Sequence, residues 1–554
     1  MHFGNNVVIL SCLILKINRL WYHKIMLKKE SVPKIIIYTV ALLTTLIYIT
    51  YRIFFTLPFG LGPVNVIFGL LVLFVEILEA AEFLIYYLNT LCLSKKSPKI
   101  PKIEDKKYPE VDVLIATINE DVDLIEGTIQ ACKDMEYPRK FDIYVCDDGN
   151  REEIASLCKK MKVKYINRHD NKGAKAGNYN NALTKTSAPY IATFDADMCP
   201  KKDFLLKTMP FFVKGYNVGF VQTPQSFKNP DIYQARLSSK IPFEQDYFYH
   251  YIQMARNNIN STILCGTNCV ISRKALKEAG GFAEKSIAED IATGMLIETK
   301  GYLGVAIDDV LAYGNSVTDV AGFIRQRSRW GRGCIQTFKQ YGIFNHRILS
   351  FRQKLDYFAA ITYWLFSVKR LVYLALPLLF AFFGIIIIRC DLAVFVTIFY
   401  IQYFVKRFAI DLLEGRSRSS TWNKIYELIV APLLVGGVIK ELFGFGNTKF
   451  DVTPKGKNKI KKSHAQAKLL FSHTLLLLLS IGGIVLAFYK ANIVRSEIYI
   501  MPLVWLFINC GYLLIAILFD LRSGRVAKDF KPNGVKKYGI KSYFYILVRG
   551  KKKI

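Results

Sequence analysis

Tyr190-Ile191-Ala192-Thr193-Phe194-Asp195-Ala196-Asp197 is an apolar run that ends in two carboxylates one residue apart. A run of this length, with β-branched and aromatic side chains, reads as a buried strand over residues 190–194. Two similar runs precede it. Residues 111–116 and 141–146 each lead into a polar loop, and residues 125–135 between them read as a helix. Strand, helix, strand, with acids gathering at the carboxyl ends of the strands, predicts an open α/β sheet with a ligand crevice at those ends. Alternating carboxylates just past a strand suit one hard divalent cation, Mg²⁺ or Mn²⁺, which bridges to substrate phosphates. Taken alone, the same pattern is more often a solvated turn.

Outward from this block the chain turns hydrophobic. Of its 554 residues, 52% are hydrophobic and 21% charged. That mixture predicts a soluble domain set in a helical membrane part. Apolar stretches at 35–55 and 64–88 precede the polar block, and 355–387, 392–408, 469–489 and 498–519 follow it, giving six spans. Residues 422–445 mix apolar positions with Lys424, Glu427, Lys440 and Glu441, which predicts a helix lying on the membrane surface. Residues 7–17 read the same way. The resulting division is 1–104 for the interfacial segment and first two spans, 105–340 for the polar domain, 341–520 for interface helices and four spans, and 521–554 for a basic tail.

The net charge is +31. Lys24, Lys28, Lys29 and Lys34 lie before the first two spans, and Lys95, Lys96, Lys99, Lys102, Lys106 and Lys107 after them, while residues 56–62 between carry no charge. This is the asymmetry of cytoplasmic loops, so the polar domain is expected in the cytoplasm of a multi-pass plasma-membrane protein. The charge is juxtamembrane, next to the lipid bilayer, and no nucleic-acid-binding motif accompanies it. The 11 cysteines show no paired metal-ligand spacing, which argues against a disulfide or zinc framework.

Three further motifs lie in the polar block. Asp147-Asp148-Gly149 follows the 141–146 strand; a carboxylate there can accept from a base or sugar edge, and an acidic turn is the simpler alternative. Glu289-Asp290 opens a helical stretch at 291–299. The helix dipole alone accounts for acids there, and the sharper reading makes Asp290 a general base for a hydroxyl. Gln326, Arg329 and Trp330 are spaced to share one helix face, where an Arg suits a diphosphate and a Trp a sugar ring; a membrane-interface Trp with neighbouring Arg residues is the bland alternative. The small, basic run 171–178 brings Lys175 toward a diphosphate without the spacing of a P-loop.

Order and company make the set specific. Together with Lys175-Ala176-Gly177-Asn178, Gln222-Thr223-Pro224-Gln225, Asn229-Pro230-Asp231, Cys265-Gly266-Thr267 and Phe450-Asp451-Val452-Thr453-Pro454-Lys455-Gly456, it resembles the processive family 2 glycosyltransferases of the cellulose synthase type. That resemblance implies an α/β GT-A glycosyltransferase domain inserted in a multi-span α-helical membrane domain, a UDP-sugar donor, Mg²⁺ or Mn²⁺, and inversion at the anomeric carbon. It implies that Thr117, Glu120 and Asp147 contact the nucleotide, Lys175 and Arg329 the diphosphate, and Asp195 and Asp197 the metal and donor. Asp290 would be the base. Gln326, Trp330 and Cys265 would hold the acceptor end of a growing polysaccharide, and the gating loop at 448–456, with Phe450, Val452, Thr453 and Lys455, would close over bound nucleotide.

Glucose from UDP-glucose, joined into a β-linked glucan and secreted, is the first expectation. Another donor such as UDP-N-acetylglucosamine is the alternative within the class, and a channel or scaffold with an inactive transferase domain is the alternative outside it. Two departures stand out. Only about 35 residues follow the last apolar stretch, too few for a PilZ barrel, so cyclic-di-GMP binding is not expected. Val317-Thr318-Asp319 stands where the family carries a Pro-Glu step, which weakens a claim for cellulose itself and leaves cellulose or a related capsular or exopolysaccharide glucan as the expected product. An accessory cell-wall subunit is an open expectation.

Overall fold

The computed structural model describes residues 34–91, 97–214, 217–237, 241–414, 420–445, 464–494 and 499–522. The segment at 7–17, the gating-loop residues Phe450, Val452, Thr453 and Lys455, and the basic tail lie outside them. The chain divides into two units. One draws on Met1–Tyr87, Phe366–Pro432 and Ala467–Leu521, the other on Leu88–Leu365, Leu433–Gln466 and Arg522–Ile554.

The second unit is built on a seven-stranded sheet. Its strands are β1 (Val111–Thr117), β2 (Asp142–Asp147), β3 (Lys164–Asn167), β4 (Tyr190–Asp195), β6 (Val218–Gln222), β8 (Cys269–Ser272) and β9 (Leu303–Ala306), in the order β3-β2-β1-β4-β8-β6-β9. A small second sheet joins β5 (Cys199–Pro200), β7 (Ser226–Phe227) and β10 (Ala312–Gly314). The first four strands of the large sheet run parallel, and β8 runs against β4 and β6. Side chains alternate across a strand, so β1 feeds two cores. Val113 and Ile115 pack with Ile125, Ile129 and Phe204 on one face, and Leu114 with Tyr179, Ala182 and Ile271 on the other. Each such side chain, fully buried, contributes about 1.5–3 kcal/mol. Two-sided burial explains why these strands read as continuous apolar runs.

Register then places the acids. Thr117 pairs with Asp147 on β2, and Ala116 with Asp195 on β4. All three therefore end at the same carboxyl edge of the sheet. The expected strands shift by one residue: β2 runs to Asp147 and β4 includes Asp195.

Six helices are long and apolar enough to cross a membrane by length and composition: Ile35–Phe55, Pro63–Leu88, Phe351–Phe383, Leu392–Ile410, His464–Ala491 and Ile500–Leu521. The first unit buries ion pairs between such helices. Arg52 donates to Glu76 at 2.8 Å, Lys369 to Glu82 at 2.8 Å, and Arg370 to Glu427 at 2.7 Å. A charge kept in apolar surroundings is paired in this way because the unpaired ion would be very costly there.

The 355–387 stretch falls in the Phe351–Phe383 span. Within it run Phe351–Thr362, a 3₁₀ turn at Tyr363–Leu365, and Phe366–Phe383. The first of these packs in the second unit, where Asp356 takes Arg256 at 2.9 Å and Ser261 at 2.5 Å. The 422–445 stretch forms the Ser420–Leu442 helix, and two of its acids are answered by arginines. Glu427 pairs with Arg370 and Glu441 with Arg332, and Trp422, Tyr426 and Ile429 are buried. Periodicity registers where charges fall on a helix and not who answers them.

Candidate active site

The carboxyl edge of the sheet carries two groups of polar side chains. At β1 and β2 the hub is Arg151, which follows the tight turn at Gly149. Its guanidinium donates to Asp147 Oδ1 at 3.0 Å, Thr117 Oγ1 at 2.8 Å and the Glu120 carbonyl at 2.7 Å. Asp147 is fully buried and also accepts from the N–H groups of Gly149 (3.1 Å) and Arg151 (2.8 Å) and from the Tyr165 hydroxyl (3.2 Å). Glu120 accepts from Thr117 Oγ1 at 2.7 Å and Ile118 N at 2.9 Å. Asp148 takes Arg168 through two bonds, at 2.6 and 2.9 Å. The three residues expected at the nucleotide, Thr117, Glu120 and Asp147, thus form one bonded cluster. The arginine that joins them is absent from the sequence reading, since an Arg two residues past a turn carries no distinguishing signal.

The second group lies at the end of β4. Thr128 donates to the Ala196 carbonyl at 2.7 Å, and Met198 N–H to the Asp195 carbonyl at 3.0 Å, which fixes the turn through Asp195, Ala196 and Asp197. Asp197 is buried and meets Asn315 N–H at 3.4 Å. Asp195 N–H donates to Thr267 Oγ1 at 2.9 Å. Lys175 sits in the first turn of the Ala174–Thr184 helix. Its ammonium reaches Asp195 Oδ1 at 2.5 Å and the Gly266 carbonyl at 3.0 Å. In this state Lys175 pairs with an acid rather than standing clear for a diphosphate. Burial disfavours its charge and Asp195 overrides that, so its pKa ends above the ordinary lysine value.

Asp290 sits at the start of the Glu289–Glu298 helix and accepts from Ile291 N–H at 2.9 Å. Burial raises its pKa, while that N–H, Lys175 and Arg329 pull the other way. Its neighbour Glu289 is pushed up to about 7 by burial and by the Asp290 charge. Two acids side by side with raised pKa values and two cations in range make a poised acid/base site. Gly266 has φ +70°, and a Cβ there would lie 3.1 Å from Asp290 Cβ and 3.5 Å from Lys175 Nζ. Only glycine both adopts that backbone freely and leaves this space open. Burial and Asp290 also raise the Cys265 thiol. The region holds Cys265, with Tyr249 beside it.

The Val320–Tyr341 helix, capped by Asp319 accepting from Gly322 N–H at 2.7 Å, carries Gln326, Arg329 and Trp330, all half-buried. Its placement relative to Asp290 comes from a close approach at Ala288, two residues before that acid. A Cβ on Gly333 would lie 2.4 Å from Ala288 Cβ. Ser286 donates to the Gly333 carbonyl at 3.1 Å, and Ile287 N–H to Gln336 at 3.1 Å. The sequence signal for this contact is Gly333 itself, a glycine inside a helical pattern.

Asp195 and Asp197 supply hard oxygen donors of the kind Mg²⁺ or Mn²⁺ takes. Among the described residues no third acidic, His or Cys side chain joins them. Such a cation would complete its shell with water and phosphate oxygens, as Mg²⁺ commonly does, so the pair fits a substrate-shared ion.

The parallel strands of the sheet thus end in acids, with a Lys–Asp pair beside the half-buried Asp290. Residues 112–280 match the glycosyl transferase family 2 description, and residues 277–505 match the cellulose synthase description. The chain is 32% identical over 80% of its length to a cellulose synthase catalytic subunit of Pseudomonas fluorescens, and 29% identical over 91% to the cellulose synthase 1 catalytic subunit of Komagataeibacter xylinus. It spans 60% of the length of the first and 68% of the second. Among solved structures, a mannosyltransferase of Pyrobaculum calidifontis aligns with a TM-score of 0.49 at 18% identity, covering 69% of this chain and 99% of that one. The chain thus carries a glycosyl transferase family 2 domain followed by a cellulose synthase domain. With six candidate spans, it is a multi-pass membrane protein.

Proposed function

We propose that this protein is a processive, inverting glycosyltransferase that polymerises glucose from UDP-glucose into a β-linked polysaccharide and passes the chain across the plasma membrane. The observation that carries the reading is the convergence of Lys175, Asp195, Asp290 and Arg329 at one edge of the sheet. Asp290 accepts the proton of the acceptor hydroxyl as its oxygen attacks the anomeric carbon. The bond from that carbon to the diphosphate oxygen breaks, UDP departs, and the configuration inverts. A raised carboxyl suits a general base, because its proton affinity is closer to that of the group it serves. Lys175, turning from Asp195, and Arg329 neutralise the departing diphosphate. A divalent cation held by Asp195 and Asp197 would add positive charge at the same oxygens.

Thr117, Glu120 and Asp147, tied by Arg151, form the nucleotide end. Gln326 and Trp330, with Cys265 nearby, form the acceptor end. The basic residues flanking the first two spans support a cytoplasmic catalytic domain.

The test is incubation of the purified protein in detergent with Mg²⁺ or Mn²⁺ and radiolabelled UDP-glucose or UDP-N-acetylglucosamine, separately. High-molecular-weight product is then digested with linkage-specific glucanases. Polymer from UDP-glucose is expected. Polymer from the amino sugar alone overturns the donor, and no UDP release from either donor overturns the activity.

A further inference from the structure

Asn229-Pro230-Asp231 lies outside both groups described above, and the structure gives it a route into the acceptor platform. Asp231 is buried and caps the Ile232–Arg236 helix, accepting from Gln234 N–H at 2.7 Å. Its second oxygen accepts from the Glu244 N–H at 3.0 Å, which fixes the backbone of that residue. The Glu244 carboxylate pairs with the Arg327 guanidinium. Arg327 is 4% exposed, and its planar head lies over two rings, 4.5 Å from the centre of Phe323 and 4.1 Å from the centre of Trp330. Phe323 is held in turn edge-on by Tyr233, from the helix that Asp231 caps.

We propose that Asp231, Glu244 and Arg327 form a positioning relay that fixes the ring plane of Trp330, and through it the register in which the terminal sugar of the growing chain is presented. The proposal rests on the reading of Trp330 as the acceptor platform. A half-buried Trp on a helix has two side-chain torsions to settle, and a guanidinium stacked on one face settles them and leaves the other face to a sugar ring. Arg suits this task and Lys does not, because only the planar group stacks and bonds a carboxylate at once. Arg327 touches neither donor nor acceptor in this scheme. Misplacement of the platform by an ångström is enough to lower productive encounter.

The test uses the full-length protein in detergent with the variants Glu244→Gln, Arg327→Gln and Arg327→Lys, and the Glu244→Gln/Arg327→Gln pair. Four readouts are taken: UDP affinity, dependence of UDP release from UDP-glucose on a short β-linked oligosaccharide acceptor, product length, and the Trp330 emission obtained by subtracting the spectrum of the Trp330→Phe protein. The relay predicts unchanged UDP affinity, an acceptor KM raised roughly tenfold, shorter product, and a shifted Trp330 emission. Arg327→Lys should restore part of the acceptor affinity, and the double variant should be no worse than the more affected single one. Unchanged emission and acceptor KM in Glu244→Gln overturn the relay. Loss of UDP affinity in all the variants also overturns it, since the pair would then be holding the fold. If the wild-type protein releases no UDP from UDP-glucose, the donor reading fails on its own, and the emission shift still decides the relay.

Discussion

The two polar groups at the sheet edge are made of the same residue types and are held in opposite electrostatic states. Around Arg151, every carboxylate oxygen of Asp147 and the carboxylate of Glu120 accept bonds from neighbouring N–H or hydroxyl groups. Around Asp290, two adjacent half-buried acids share a position and both are raised. A saturated cluster is rigid, which suits recognition of a fixed ligand edge. A crowded pair holds charge uneasily, which suits proton transfer.

Asp290→Asn should break the contrast most sharply. It leaves shape intact and removes the base, so turnover should fall about 10²–10⁴-fold with UDP affinity retained, by UDP release and calorimetry. An inactive scaffold would show no such difference. Lys175→Met removes a cation from the diphosphate and leaves Asp195 unpaired; turnover should drop about 10²-fold. Arg151→Lys keeps the charge and loses the fork, so donor KM should rise about tenfold with kcat much less affected.

A pH profile separates the two groups. As the proposed base, Asp290 would work deprotonated, and burial raises its folded pKa. Turnover should therefore climb with pH through a limb above the ordinary carboxylate value of about 4, and fall as pH drops through it. The two acids titrate as a pair, so Glu289→Gln should move that limb to lower pH. Removing the exposed Lys160, which pairs with Glu126 at 3.2 Å on the surface, should leave both kinetics and pH profile unchanged.

Much of this was legible in the chain. Residues 190–197 announced a buried strand ending in acids, and Gln326, Arg329 and Trp330 announced a shared helix face, because both patterns follow from local backbone period. The second rank was not. Glu244 lies 83 residues from Arg327, and Gly333 is 45 from Ala288; such partners are chosen by the fold, and neither period nor propensity carries them. Gly331 and Gly333 inside a helical pattern were the available hint of close packing. The same limit explains the 355–387 stretch. Hydropathy sums over a window, so it does not register the turn at Tyr363–Leu365 or the buried Asp356 that ties the preceding helix to the catalytic unit.

The contact of Gly333 with Ala288 works as a caliper. One jaw is Ala288, two residues before Asp290; the other is Gly333, three residues after Trp330. The span from base to platform is thus set by backbone on both arms. A side chain at Gly333 would force the jaws apart. An insertion of one residue between Trp330 and Gly333 swings the ring by about 100° around the helix axis. This part of the chain should accordingly be strict in length, and strict in letter at Gly333.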